Sequence, residues 1–312
     1  MTKRWRDLAG PVGLLPTGPR NSITDVEGVL VGHAQADSGE QTGVTVVLPP
    51  RLPARAGCAT VNGAGELTKK FEIDEWGVIE TPIYLCGTNA VGIVYHAAVL
   101  AQIDDPGDVV IPVVGECDDS DLGDARTITV EDVAAARAAV GIEVAEGSVG
   151  SGTGMTCFDF AGGIGTASRV VDDHTVGVLL MCNFGDRERF TSGGMHFEPD
   201  EAWTPPEGSC IAICATDAPM DAQQLRRLAL RPLLGLARAG SYASHGSGEI
   251  ALAFSTAERP GLPSSRMSAF FAAAYEAAEE AVYNCLVAPR PPMTKRGGRE
   301  HPVFPVHLLE RA

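Results

Sequence analysis

Short apolar runs recur along the chain, separated by stretches rich in glycine and proline, and no internal repeat stands out. Two early runs, Gly28-Val-Leu-Val-Gly-His33 and Gly43-Val-Thr-Val-Val-Leu48, read as strands. Thr88 is placed to cap a helix from Asn89 to about Ala101, ahead of an apolar strand from Val109 to Val114. Thr129-Val-Glu-Asp132 has the form of a capping box, opening an alanine-rich helix that should stop near Gly141. A glycine-dense stretch from Gly147 to Gly165 leads into a strand from Thr175 to Cys182.

Residues 186–208 are polar, carry Pro199, Pro205 and Pro206, and read as an exposed loop. Cys210-Ile-Ala-Ile-Cys-Ala215 follows at once and is continuously apolar, as a strand covered on both faces would be. Asp221 with Gln224 opens a helix that carries Leu225, Leu228 and Leu236 on one face, with a kink expected at Pro232. A strand from Ile250 to Phe254 precedes a long helix from about Arg266 to Leu286, and the tail from Pro289 should be irregular. Strands and helices alternate only in part, which predicts a layered α/β or α+β single domain over residues 1–312.

Composition narrows the partners more than the fold. The 312 residues carry 24 Lys and Arg against 40 Asp and Glu, a net charge of −16. Such a surface repels phosphate, so neither a nucleic acid nor an anionic membrane is expected as a partner. No apolar run approaches the roughly 20 residues of a membrane span. No apolar signal-peptide core follows the basic start Met1 to Arg6. The eight cysteines are scattered without a Cys-x-x-Cys pair and read as reduced, mostly buried thiols, which points to a cytoplasmic location.

The usual catalytic signatures are missing. There is no Gly-x-Ser-x-Gly elbow, Walker loop, Gly-x-Gly-x-x-Gly turn or His-Glu-x-x-His, and the seven histidines are dispersed. Neither metal nor cofactor is therefore expected. The chemistry left is a set of Ser, Asn and Glu residues at glycine-rich strand edges. Gly208-Ser209 sits between the polar loop and a buried strand. Were the bond before Ser209 cut, that residue would carry a hydroxyl nucleophile and a free α-amine. The amine has an ordinary pKa of about 7.7–8.0 and can act as general base without histidine. On spacing alone an ordinary loop-to-strand serine is the commoner case. Ser247-Gly-Glu249 opens the next apolar strand, and residues two apart share a face, so both side chains could converge on Ser209. The alternative there is a strand-edge turn with a solvated Glu. Asn183, after a buried strand, could donate to a developing oxyanion or simply form a turn. Glu116-Cys-Asp-Asp-Ser-Asp121 could hold a substrate ammonium group or a metal, or be a solvated loop.

Taken together these segments resemble the DmpA-type aminopeptidases of peptidase family S58, which include the β-peptidyl aminopeptidases. The resemblance covers nearly the whole chain. It runs through Asn21-Ser-Ile-Thr-Asp-Val-Glu-Gly-Val-Leu-Val-Gly-His33, Asn62-Gly-Ala-Gly-Glu-Leu67, Glu80-Thr-Pro82 and Gly150-Ser-Gly-Thr-Gly-Met155. It continues through Gly162-Gly-Ile-Gly-Thr-Ala-Ser-Arg169 and Gly208-Ser-Cys-Ile-Ala-Ile-Cys-Ala-Thr-Asp-Ala-Pro219. Gly235-Leu-Ala-Arg-Ala-Gly-Ser241 and Gly246-Ser-Gly-Glu249 complete it.

The resemblance implies a four-layered αββα sandwich of the DmpA/ornithine acetyltransferase type, related in logic to N-terminal nucleophile hydrolases. It implies autocatalytic cleavage at Gly208–Ser209, leaving an α chain of residues 1–208 and a β chain of residues 209–312. The family pattern makes Ser209 the nucleophile, Ser247 and Glu249 its partners, and Asn183 the oxyanion amide. Glu116, with Asp118 beside it, would bind the substrate's free amine, and the αβ pairs would assemble as a homotetramer. One departure stands out. Many family members carry a tyrosine just after the glutamate of the acidic motif, whereas here Glu116 is followed by Cys117, Asp118 and Asp119. The reading is a self-processing serine aminopeptidase or amidohydrolase acting on short peptides, amides or esters with a free amine. The alternatives are a non-peptide amidase or acyltransferase of the same family, or an uncleaved, non-enzymatic member.

Overall fold

Sequence segments become strands or helices here according to what each must pack against. The computed structural model describes residues 3–105, 107–192, 195–198, 208–288, 290, 293–294 and 300–311. A short helix, α1 (Trp5–Ala9), precedes the strands β1 (Leu30–Gln35), β2 (Gly43–Leu48) and β3 (Ala54–Gly63). Next come α2 (Lys70–Trp76), β4 (Val78–Ile79), β5 (Ile83–Gly87), α3 (Val91–Leu100), β6 (Val113–Cys117) and α4 (Val130–Ala138). Two short strands, β7 (Thr156–Cys157) and β8 (Phe160–Ala161), lead to β9 (Gly163–Val171) and β10 (His174–Asn183). The chain resumes with β11 (Ser209–Thr216), α5 (Ala222–Ala239), β12 (Gly248–Ser255) and α6 (Met267–Val287). A two-strand ladder, β13 (Met293–Thr294) with β14 (Glu300–His301), follows.

Two sheets carry the site. A six-stranded sheet has the order β4-β3-β12-β11-β10-β9, and a four-stranded one has the order β1-β2-β5-β6. Neighbours run antiparallel except β11 with β12 and β5 with β6. Alternation along β11 decides the layering. Ile211 and Ile213 pack toward the smaller sheet, in one cluster with Leu85 and Val113. Cys210, Ala212 and Cys214 turn the other way, onto Leu225 and Leu228 of α5 and Ala277 of α6. The outer face of the smaller sheet buries Val44, Val46 and Val114 against Val94 of α3 and Val133 of α4. The result is an αββα sandwich, as expected.

The capping box of Asp221 and Gln224 starts α5, a contribution of about 1 kcal/mol. α5 lies so close to α6 that a Cβ on Gly235 would come within 2.5 Å of the Tyr275 carbonyl oxygen. The box at Thr129 and Asp132 likewise starts α4, as expected. All eight cysteines are unbridged and buried. No helix among the described residues is long and apolar enough to cross a membrane.

Several expectations need correction. The strand placed over 109–114 pairs only from Val113 and runs on to Cys117, because Pro112 has no N–H to give and Val109 is exposed. Glu116 therefore belongs to a strand rather than to the loop after one. Thr88 does not cap α3, whose preceding residue Ala90 offers no side-chain cap. The hydroxyl of Thr88 goes to Glu116 instead. In the stretch read as an exposed loop, residues 193–194 and 199–207 lie outside the described residues. Phe190 within it is buried, its ring 5.3 Å from Phe158 and 5.8 Å from Tyr283. Pro289 also lies outside them, and the tail after it holds the β13–β14 ladder and a buried Phe304 rather than being wholly irregular.

Candidate active site

β11 starts between two strand ends, and this places Ser209 at a junction. Ser209 pairs with Asn183, the last residue of β10, and with Gly248, the first of β12. Its side chain borders a cavity of about 440 Å³ whose wall includes Gly65, Thr88, Glu116, Asp118, Thr156 and Asn183. Ser209 Oγ makes no hydrogen bond among the described residues. It does lie near enough to the Cys117 thiol to oppose, slightly, the burial that pushes that thiol's pKa up. The hydroxyl is thus buried at the edge of the cavity, with the Cys117 thiol beside it.

Glu116 reaches the same cavity from β6, a strand of the other sheet. Its Oε1 accepts the Glu66 N–H at 2.7 Å, and its Oε2 accepts the Thr88 hydroxyl. Burial pushes its carboxyl above the ordinary range, and these two donors only partly offset that. No basic side chain pairs with it among the described residues. Asp118 lines the cavity at an exposed position, its Oδ1 accepting the Ser120 N–H at 2.9 Å. Asp119 turns inward instead, accepting the Thr42 hydroxyl at 2.6 Å, and burial pushes its carboxyl up to about 6. The acidic motif therefore splits into a buried acceptor, an exposed rim and an internal brace.

Asn183 is locked by both ends of its amide. Its Nδ2 donates to the Asp118 carbonyl at 2.8 Å, and its Oδ1 accepts the Thr156 N–H at 3.0 Å. An amide nitrogen has two hydrogens, so this anchoring leaves one for an oxyanion in the cavity.

Ser247 and Glu249 form a pair: the Ser247 hydroxyl donates to Glu249 Oε1, while Oε2 is buried without a partner. Burial pushes the Glu249 carboxyl up, with Ser247 and Asn62 pulling the other way. The pair does not share a face with the Ser209 side chain, contrary to expectation. Ser209 stands opposite Gly248 and Cys210 opposite Glu249 in parallel register, so the hydroxyl and the carboxylate lie on opposite faces of the sheet. Between them runs the main chain of Ser209. Ser247 accordingly borders a separate small recess, with Phe184, Gly208 and Tyr242.

Four contributors escaped sequence reasoning. Thr88 and the Glu66 N–H hold Glu116, and Thr156 orients Asn183. Asn62 donates to the Ala243 and Ser244 carbonyls at 2.8 and 2.7 Å, fixing the loop that ends in Ser247. The segment Asn62 to Leu67 was available as a motif, but nothing in it said which strand it would meet.

Comparison with known proteins gives the family and the fold. The model of peptidase family S58 matches residues 21–300. The β-peptidyl aminopeptidase BapA of Sphingosinicella microcystinivorans is 40% identical over 339 residues, covering 91% of this chain and 85% of its own. A β-aminopeptidase from Burkholderia sp. superposes with a TM-score of 0.87 at 37% identity, over 98% of this chain and 97% of that one. An L-aminopeptidase D-Ala-esterase/amidase from Ochrobactrum anthropi gives a TM-score of 0.88 at 31% identity, over 99% and 98%. That enzyme is described as a prototype of the serine aminopeptidases and a variant of the Ntn hydrolase fold.

Proposed function

The chain belongs to peptidase family S58, a hydrolase family of peptide bonds, and on that premise we propose a self-processing serine aminopeptidase. The observation that carries this reading is Ser209, its hydroxyl buried at the edge of a cavity whose wall includes the Glu116 carboxylate, which no cation among the described residues pairs. After a cut at Gly208–Ser209, the new α-amine lies between two faces. On one side is its own hydroxyl, and on the other are Ser247 and Glu249, which keep it oriented. Ser209 Oγ attacks the substrate's acyl carbon and gives its proton to the α-amine. The free N–H of Asn183 stabilises the oxyanion. The amine returns the proton to the leaving group, and water resolves the acyl-enzyme.

Glu116 selects the substrate. A buried carboxylate with no counter-ion among the described residues favours a ligand that brings one, here the free ammonium of a peptide, amide or ester. Asp118 at the rim adds to the attraction. Among the described residues the cavity wall is polar and carries no aromatic side chain, which suits small acyl groups. We further propose a cytoplasmic homotetramer of αβ pairs.

Intact mass under denaturing conditions tests the core of this proposal. Two species breaking between residues 208 and 209 are expected, and a Ser209→Ala chain should remain whole and inactive. A Ser209→Ala chain that still splits there would remove Ser209 as nucleophile. Equal rates on free and N-acetylated amino-acid p-nitroanilides would favour the non-peptide amidase, since Glu116 would then recognise nothing. A single intact band without activity would leave the non-enzymatic reading. The general base also sets a pH signature: activity should rise with pH through the amine range of about 7.7–8.0.

A further inference from the structure

We propose that the backbone N–H of Gly248, and not the Asn183 side chain, is the oxyanion donor for self-cleavage. This rests on the reading that the chain cuts itself at Gly208–Ser209. In the uncut chain the Gly208 carbonyl oxygen accepts the Gly248 N–H at 3.0 Å, the first rung between β11 and β12. That rung lies in the plane of the sheet, whereas side chains stand roughly perpendicular to it. Ser209 Oγ can therefore approach the Gly208 carbonyl carbon from the face while the oxygen stays on its donor. As the Oγ–C bond forms, the carbonyl π pair moves onto an oxygen whose N–H partner is already seated. A donor in place before charge develops is the condition for electrostatic catalysis. The C–N bond then breaks, and the Ser209 nitrogen gains the proton that Oγ loses. One water hydrolyses the resulting ester to a Gly208 carboxylate and the free Ser209 hydroxyl.

The Asn183 amide does not reach this carbonyl: its Nδ2 donates to the Asp118 carbonyl, while the Gly208 oxygen takes the Gly248 N–H. Gly248, in contrast, is held so tightly that a Cβ on it would meet the Ala64 carbonyl oxygen at 2.3 Å. The lack of a side chain lets the strand seat its N–H against Gly208. One donor thus serves the cut and another serves turnover.

The test follows the intact mass of freshly synthesised chain with time. Asn183→Ala should cut with a half-time within about threefold of the parent, while its kcat/KM on free-amine p-nitroanilides falls about 100-fold. Glycolic acid in place of Gly248 exchanges the amide for an ester, deleting the N–H without adding a side chain, and should slow the cut by about tenfold or more. An Asn183→Ala chain that folds, judged by circular dichroism, yet stays whole overturns the assignment. So does an ester-bearing chain that cuts at the parent rate. A parent chain that never cuts overturns the self-processing reading itself, a result distinct from either.

Discussion

Glu280 and Glu116 are both buried carboxylates, yet their surroundings drive their ionisation in opposite directions. Glu280, on α6, meets Arg169 at 2.7 Å and Arg6 at 2.8 Å, and accepts the Asn21 amide at 2.6 Å. Burial pushes its carboxyl up, but the two guanidinium groups and the amide outweigh that and hold it below the ordinary range. Among the described residues Glu116 has only a hydroxyl and a main-chain N–H, so burial wins and its carboxyl lies high. Glu249 follows Glu116, with Ser247 as its donor. The scaffold supplies its own counter-ions where charge serves structure. Where it withholds them, the cation on our proposal arrives from elsewhere: a substrate amine at Glu116 and the new α-amine at Glu249. Perturbed carboxylates in a cleft are a recognised mark of function, and the contrast with Glu280 gives that mark a cause.

Four measurements would break or sharpen this contrast. Arg169→Met strips the fully buried guanidinium from Glu280 and should cost about 3–5 kcal/mol, read from the denaturation midpoint. A loss below about 1 kcal/mol would mean that the pair does not hold the scaffold. Glu116→Gln should lower kcat/KM on free-amine substrates about 100-fold, near 2.7 kcal/mol, and leave acetylated substrates unaffected. Its stability should not fall, since an unpaired buried charge has been removed; a large drop in midpoint would place Glu116 with the scaffold. Glu249→Gln, expected to self-cleave and fold, should lose about tenfold in turnover, and normal kinetics would take it out of the site.

The last is a change of slope with pH. Asp119 titrates near 6 in the fold, above its ordinary 3.8. Its stabilising contribution is therefore full below about pH 4 and lost as pH rises through 6. Glu280 is depressed, so its contribution is present above its ordinary 4.5 and lost as pH falls. Asp119→Asn should flatten the loss between about pH 4 and 6 without touching the acid limb set by Glu280. An unchanged profile would deny Asp119 its perturbed state.

The parts of the fold readable in advance were those whose large apolar residues or caps announce themselves. Ile211 and Ile213 betray β11, and Asp221 with Gln224 betrays the start of α5. β3 and β9 stay silent because close approach demands small residues. A Cβ on Gly57 would sit 2.3 Å from the Arg226 nitrogen of α5, and one on Gly165 would sit 1.9 Å from the Ala281 carbonyl of α6. Tight packing erases the hydrophobic pattern that it depends on. In the site, Ser209, Asn183 and Glu116 were all identifiable, each at or near the end of an apolar run. Thr88 was misread because a threonine ahead of a helix fits a cap. Only the pairing of β5 with β6, which sets Cys86 opposite Glu116, brings it to the carboxylate. The two-residue rule correctly joined Ser247 to Glu249, but whether they share a face with Ser209 depends on inter-strand register, and one sequence does not contain it.

The middle of the larger sheet has a consequence for how the protein could be unmade. β11 and β12 belong to residues 209–312, yet they are flanked by β3 and β10 from the earlier part of the chain. A cut at 208 would therefore leave two polypeptides woven through one another rather than set side by side. Dilution could not separate them, because parting means unzipping a ladder on each side and opening both large clusters of the core. Once fully denatured, however, the pieces would have to find each other by collision. Recovery would then slow with dilution, whereas an uncut chain would refold at a rate independent of its concentration. Maturation would thus exchange a structure that can be regained for one that endures only because it is slow to come apart.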